Sequence, residues 1–284
     1  MRARRHAIWC AALLAACGGS SAPPPATEVT AARRTSLAED PAAAEWAPLP
    51  EFRAALLLQD MVEPRLLKAS TPDVRVRAMT DGRQVAFRLE WPDATKNDLP
   101  GTGRFSDACA VQVPAANEPD VPAPQMGEPG RPVEISYWRA FWQATVDGRP
   151  DTIKALFPGA AIDHYPFDAP ALAAGSPEQQ AMAKRYAPAR ALDNAMAGPR
   201  ASPVQDLVAE GPSTLRPAPT QRSRGTGVRT AMGWAIVLVR PLPEGVSGRT
   251  RGQVAFAVWD GEGQEAGARK MRTGWIPFAV EEGR

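Results

Sequence analysis

Between Val74 and Trp91 the chain reads VRVRAMTDGRQVAFRLEW, with apolar and charged residues alternating on either side of Asp81-Gly82. Period-two alternation sends successive side chains to opposite faces of a strand, and Asp-Gly supplies the backbone freedom of a tight hairpin turn. Further strands are predicted at Ala108–Val113, Val133–Ala144, Trp234–Val239, Gln253–Trp259 and Trp275–Val280. The Val133–Ala144 stretch, VEISYWRAFWQA, carries large apolar residues on both faces, as a central strand covered on each side requires. Only Pro177–Arg185 reads as helix, and 148–221 is irregular, with long excursions expected around something bulky. Thirty Pro and 23 Gly favour turns over long helices. With no internal repeat and no alternating βα units, the expected fold is mainly β: an antiparallel β-sandwich with a few short helices and long loops.

The first residues, MRARRHAIWCAALLAAC, follow export-signal architecture: a basic stretch, an apolar stretch and small residues before a cysteine. Leu14-Ala15-Ala16-Cys17 resembles the bacterial lipobox, so 1–16 is expected to be a lipoprotein signal peptide and Cys17 a lipidated residue. Arg4-Arg5 also hints at a twin-arginine signal. Residues 17–45 are small, polar and Pro-rich and are expected to form a flexible tether to a folded domain over 46–284. No later stretch approaches the ~18 apolar residues of a membrane helix, so the anchor would be lipid alone. Placement on the periplasmic face of a bacterial membrane follows, with the outer membrane preferred. Removal of Cys10 and lipidation of Cys17 would leave Cys109 as the remaining thiol, which forbids an intramolecular disulfide and reads as a small buried residue. The charge of +2, from 33 basic and 31 acidic residues spread along the chain, presents no basic face for nucleic acid.

The two histidines are His6, within the signal, and His164, so metal sites and catalytic triads needing two imidazoles are excluded from the mature chain. No P-loop, no GxGxxG after a strand and no CxxC is present, and the lack of C-x-x-C-H excludes covalently attached c-type haem. What stands out is Gln125-Met126-Gly127-Glu128-Pro129-Gly130, a thioether in a Pro and Gly loop directly before an aromatic strand. A thioether is a soft ligand suited to haem iron, although a loop methionine also serves simply as packing.

In order along the chain, the segments FRLEW, FSDACAVQVP, QMGEPGRPVEISYWRAFWQA, IDHYPF, YAPARALDN, PVQDLVAEGPSTL and VAFAVWDGEGQEAGARKMRTGW resemble the haem-binding domain of ethylbenzene dehydrogenase. This is the gamma-subunit family of periplasmic molybdenum enzymes related to dimethyl sulfoxide reductase. The resemblance runs from about Leu56 to the C-terminus. It implies a β-sandwich holding one haem b with a Met and a Lys as axial ligands, positions that fall on Met126 and Lys270. A lysine can serve only as the neutral amine, so its pKa must fall from the ordinary ~10.4. His164, in Asp163-His164-Tyr165-Pro166-Phe167, is an alternative ligand or a residue at the haem edge; Arg139 is a candidate partner of a propionate; Trp138 is a core aromatic that could line the haem. A six-coordinate haem has no open position for substrate, so the implied task is electron transfer rather than catalysis, with molybdenum and iron–sulfur subunits or a cytochrome as partners. The family's gamma subunits are typically soluble, whereas this chain carries a lipidation signal, which leaves the partner open. The alternative is a haem-free sandwich that binds carbohydrate or another ligand through exposed tryptophans.

Overall fold

The computed structural model describes residues 26–282 apart from 100, 151–155, 161–175, 187, 188, 190, 191 and 193–199. The strands in chain order are β1 (Val29–Arg33), β2 (Phe52–Ala55), β3 (Leu57–Leu58), β4 (Asp73–Thr80), β5 (Gln84–Pro92), β6 (Ala108–Pro114) and β7 (Val133–Arg139). Helices α1 (Ala140–Val146) and α2 (Pro177–Tyr186) follow. Then come β8 (Val204–Ala209), β9 (Arg216–Pro217), β10 (Arg224–Arg229), β11 (Gly233–Pro241), β12 (Gly252–Trp259), β13 (Met271–Arg272) and β14 (Ile276–Val280).

The expected hairpin is β4–β5, antiparallel, with Arg77 opposite Arg88. At its turn the Asp81 side chain accepts hydrogen bonds from the amides of Arg83 and Gln84, and Gly82 takes the positive φ of 91°. Around it the strands line up as β10-β11-β5-β4-β1-β14 in one layer and β12-β6-β7-β8-β9 in the other, with β13 beside β12. Strand β12 joins the layers: Gly252–Val254 pair with β14, and Ala255–Trp259 pair with β6. Between the layers the inward sides of both sheets share one core, in which Phe87 meets Phe256 and Phe278, and Trp138 meets Trp91 and Trp234. This is the mainly-β sandwich the patterning predicts.

Three features differ from expectation. The pairing is not wholly antiparallel, because β1 runs parallel to both of its neighbours, β4 and β14. That same strand shortens the expected tether of 17–45: Val29, Ala31 and Ala32 are buried, and Trp46 and Leu49 pack with Met79 and Val237 on the outer face of the first sheet. Small residues fit between two strands already in place, so composition alone does not reveal the strand. Third, the expected strand Val133–Ala144 stops at Arg139 and continues as α1. The switch is set by a distant segment: the Asp107 carbonyl accepts from the Ala140 amide at 2.9 Å, and the Ser106 hydroxyl accepts from the Phe141 amide at 3.0 Å. Gln143 of α1 then accepts from the Trp138 indole and from the Gly227 amide of β10, docking the helix. Gly227 is required there, since a Cβ would lie 2.4 Å from the Trp138 ring.

Candidate functional site: a cleft on the outer face of the second sheet

The second sheet buries Cys109, Val111 and Val113 of β6, Trp138 of β7 and Val254, Phe256 and Val258 of β12 in the inter-sheet core. Strand alternation therefore sends Ala110 and Gln112, Ile135, Tyr137 and Arg139, and Ala255, Ala257 and Trp259 to the opposite side. These residues, with Leu207 of β8, form the floor of a cleft of about 430 Å3. Register places Ala257, Ala110 and Tyr137 in one cross-strand row and Ala255, Gln112 and Ile135 in the next. Three alanines at the centre make the floor flat and apolar. The volume lies within the ~300–1,000 Å3 range of small-molecule and cofactor sites.

Met126 and Lys270 both line the cleft. The methionine loop is fastened at several points. The Trp275 indole donates to the Pro122 carbonyl at 2.6 Å, the Gln112 amide to Pro124 at 3.0 Å, and the Gly211 backbone N–H to the Met126 carbonyl at 2.8 Å. Met126 has φ 74°, in the left-handed region that a side chain rarely adopts, and Gly127 follows with φ 77°. A Cβ at Gly127 would lie 2.8 Å from the Arg131 carbonyl and 3.0 Å from that of Ala209. The glycine thus serves the close packing of the loop on its own backbone. Such strain persists only where the surroundings enforce it, and it clusters at functional sites.

Lys270 immediately precedes β13, whose Met271 enters the inter-sheet core, so Lys270 and Arg272 point to the cleft side. Burial pushes the Lys270 amine down to about 8, and the Arg272 guanidinium beside it pushes in the same direction. Its Nζ lies 5.2 Å from the centroid of the Trp259 ring. The segment is held by Gln59, a buried side chain that donates to the carbonyls of Val62 and Ala268 and accepts from the amides of Met61 and Val62. The Gln59 backbone N–H also donates to the Lys270 carbonyl at 3.1 Å, while the Trp259 indole holds the Gly267 carbonyl. Arg272 is largely buried, and its Nε has no hydrogen-bond partner among the described residues.

Of the residues singled out in the sequence, Met126, Lys270 and Arg139 come together on the cleft. Trp138 does not. It lies on the opposite face of β7, fully buried between the sheets with its indole on Gln143, and Tyr137 and Arg139 take the cleft side instead. Tyr137 packs edge-on against Trp259 and Trp142. His164 and Cys17 lie outside the described residues. Cys109 is buried in the core, which raises its thiol pKa and makes it unreactive. Sequence reasoning missed Gln59, which sits in an unpatterned stretch, and Arg272, whose parity with Lys270 becomes readable only once Met271 is known to face inward. No helix among the described residues is long and apolar enough to cross a membrane.

The arrangement suits a flat, largely apolar ligand with acidic edges: a level apolar floor, the cationic side chains Arg139 and Arg272, and two soft or neutral donors, the Met126 thioether and the Lys270 amine, whose pKa burial lowers. A family described as "Ethylbenzene dehydrogenase" matches residues 43–155. A relative named chlorate reductase subunit gamma, from Ideonella dechloratans, is 28% identical over 244 residues, 83% of this chain and 77% of that protein. A relative named putative respiratory nitrate reductase heme subunit, from Haloferax mediterranei, is 25% identical over 263 residues, 87% of this chain and 71% of that one. Among solved structures, a family 9 carbohydrate binding module from Caldicellulosiruptor kristjanssonii in complex with glucose overlaps with a TM-score of 0.42 at 8% identity, over 90% of this chain and 96% of that one.

Proposed function

We propose that the chain is a haem-binding gamma-type subunit of the ethylbenzene dehydrogenase kind, and that its cleft holds one haem b and passes electrons for a partner oxidoreductase. The observation that carries this reading is the convergence of Met126 and Lys270, remote in sequence, on one flat-floored cleft. Met126 Sδ and Lys270 Nζ would hold the iron. The lowered pKa of Lys270 matters because an ammonium has no lone pair to donate; burial and Arg272 together favour the neutral amine. Arg139 and Arg272 would take the propionates, giving the partnerless Nε of Arg272 a carboxylate. The alanine floor, Ile135, Leu207 and Trp259 would exclude water from the macrocycle face.

When bound, haem b supplies reversible one-electron chemistry, and a thioether ligand with a low-dielectric surround raises its potential. With two side chains of the protein as donors the iron would offer no place for a substrate, in keeping with an electron-transfer subunit rather than the catalytic one. The partner would be a molybdenum and iron–sulfur oxidoreductase, or a cytochrome. The leader ending Leu14-Ala15-Ala16-Cys17 supports export and a lipid anchor at Cys17, on the periplasmic face of a membrane. The test is haem content: the chain produced with ample haem supply should carry one non-covalent haem per chain and show a Soret band that shifts on reduction. Protein that folds but shows no Soret band overturns the reading.

A further inference from the structure

Away from the cleft, at one end of the sandwich, three carboxylates converge: Asp93 directly after β5, Asp107 directly before β6 and Asp260 directly after β12. One oxygen from each lies within 4.8 Å of the other two. None of the three lines the cleft. Asp107 is fully buried, and its two oxygens accept from the amides of Asn97 and Gly261 and from the Trp234 indole at 2.8–2.9 Å. The Asp260 side chain accepts from the amides of Glu262 and Gly263. These bonds fix the carboxylates in place without neutralising them.

Asp93 supplies the independent observation. Its side chain is only 4% exposed, and Oδ2 is buried with no hydrogen-bond partner among the described residues. Its other oxygen accepts from the Thr95 amide and hydroxyl and lies 4.0 Å from an Arg229 nitrogen. Among the described residues, Arg229 is the one cation within ion-pair distance of these three carboxylates. A bare, buried carboxylate oxygen on a member of such a cluster calls for a cation.

We propose that Asp93, Asp107 and Asp260 form a calcium site that clamps the ends of β5, β6 and β12. All the donors are carboxylate oxygens, the choice of a hard cation. Calcium takes oxygens at about 2.3–2.6 Å in a flexible geometry, whereas magnesium demands a near-ideal octahedron at about 2.0–2.1 Å, so three carboxylates fixed on separate strand ends suit calcium better. Asp260 also opens the turn that runs on to Lys270, so the ion would anchor the base of that segment.

The test uses the full chain, stripped with a chelator and returned to chelator-free buffer, with calcium chloride followed by calorimetry and by thermal melting. One calcium per chain should bind, and about 1 mM calcium should raise the melting temperature by about 3 °C or more. D93N and D260N should each weaken binding at least about tenfold and abolish the shift, while circular dichroism without calcium stays that of the parent. Absence of binding heat and of a melting shift in the unaltered chain overturns the proposal, as does undiminished binding by D93N. An equal response to magnesium overturns the calcium assignment. A melt that responds to pH but never to calcium assigns the cluster to a shared proton instead.

Discussion

Replacing Gln59 by alanine removes one amide that makes four hydrogen bonds, to the backbone of Met61, Val62 and Ala268, at distances of 2.8–3.1 Å. These bonds join the loop after β3 to the segment ahead of Lys270. A hydrogen bond contributes about 1 kcal/mol net, and stranding a buried partner costs about 1–3 kcal/mol. The expected loss is about 2–3 kcal/mol, a sizeable part of an ordinary ~5–15 kcal/mol stability. At about 2–4 °C per kcal/mol, the thermal midpoint should fall by about 5–10 °C. Gln59→Glu, which turns a carboxylate oxygen toward the Val62 and Ala268 carbonyls, should fall at least as far. Differential scanning calorimetry reads the midpoint, and amide exchange at 59–66 and 266–270 reads whether the damage is local. A shift below about 1 °C, or unchanged exchange at both segments, would refute the role given to Gln59.

Two further outcomes follow from the cleft walls. Gly127→Ala places a Cβ against the carbonyls of Arg131 and Ala209 at a φ of 77°, so it should destabilise by about 1–3 kcal/mol in urea unfolding; a neutral result would contradict the tight loop. The Lys270 amine is lowered to about 8 in the folded chain against 10.5 ordinarily, so between those values the unfolded chain holds a proton that the folded one has released. Stability of the ligand-free chain should therefore rise with pH across that window, by at most about 3 kcal/mol, and Lys270→Met should flatten the rise; a wild-type urea midpoint that does not change from pH 8 to 10.5 would contradict the burial of the amine.

Much of the sandwich was legible because the β4–β5 hairpin and strands such as Ala108–Val113 carry their pattern locally. Strand β1 was not, since its place depends on two parallel neighbours far along the chain, and small residues such as Ala31 and Ala32 carry no strand signature. The end of β7 was hidden for a similar reason: Ser106 and Asp107, thirty or more residues earlier, accept the amides that start α1. At the candidate site, Met126 announced itself through its Gly and Pro surroundings. Lys270 came through family resemblance alone, because a lysine between Arg269 and Arg272 reads as a solvated cation until the fold buries it. Parity decided Trp138 against Tyr137: a run of aromatics says that both faces of β7 are covered, and only the layer order says which face meets the cleft.

The most direct test of the central claim is the optical spectrum of the haem-loaded chain, oxidised and reduced, beside Met126→Ala and Lys270→Ala. The unaltered chain should show sharp low-spin bands in both states, and each variant should turn high-spin or lose haem while remaining folded by circular dichroism. Low-spin bands unchanged in both variants would contradict ligation by Met126 and Lys270 and move the search for the ligands to other residues.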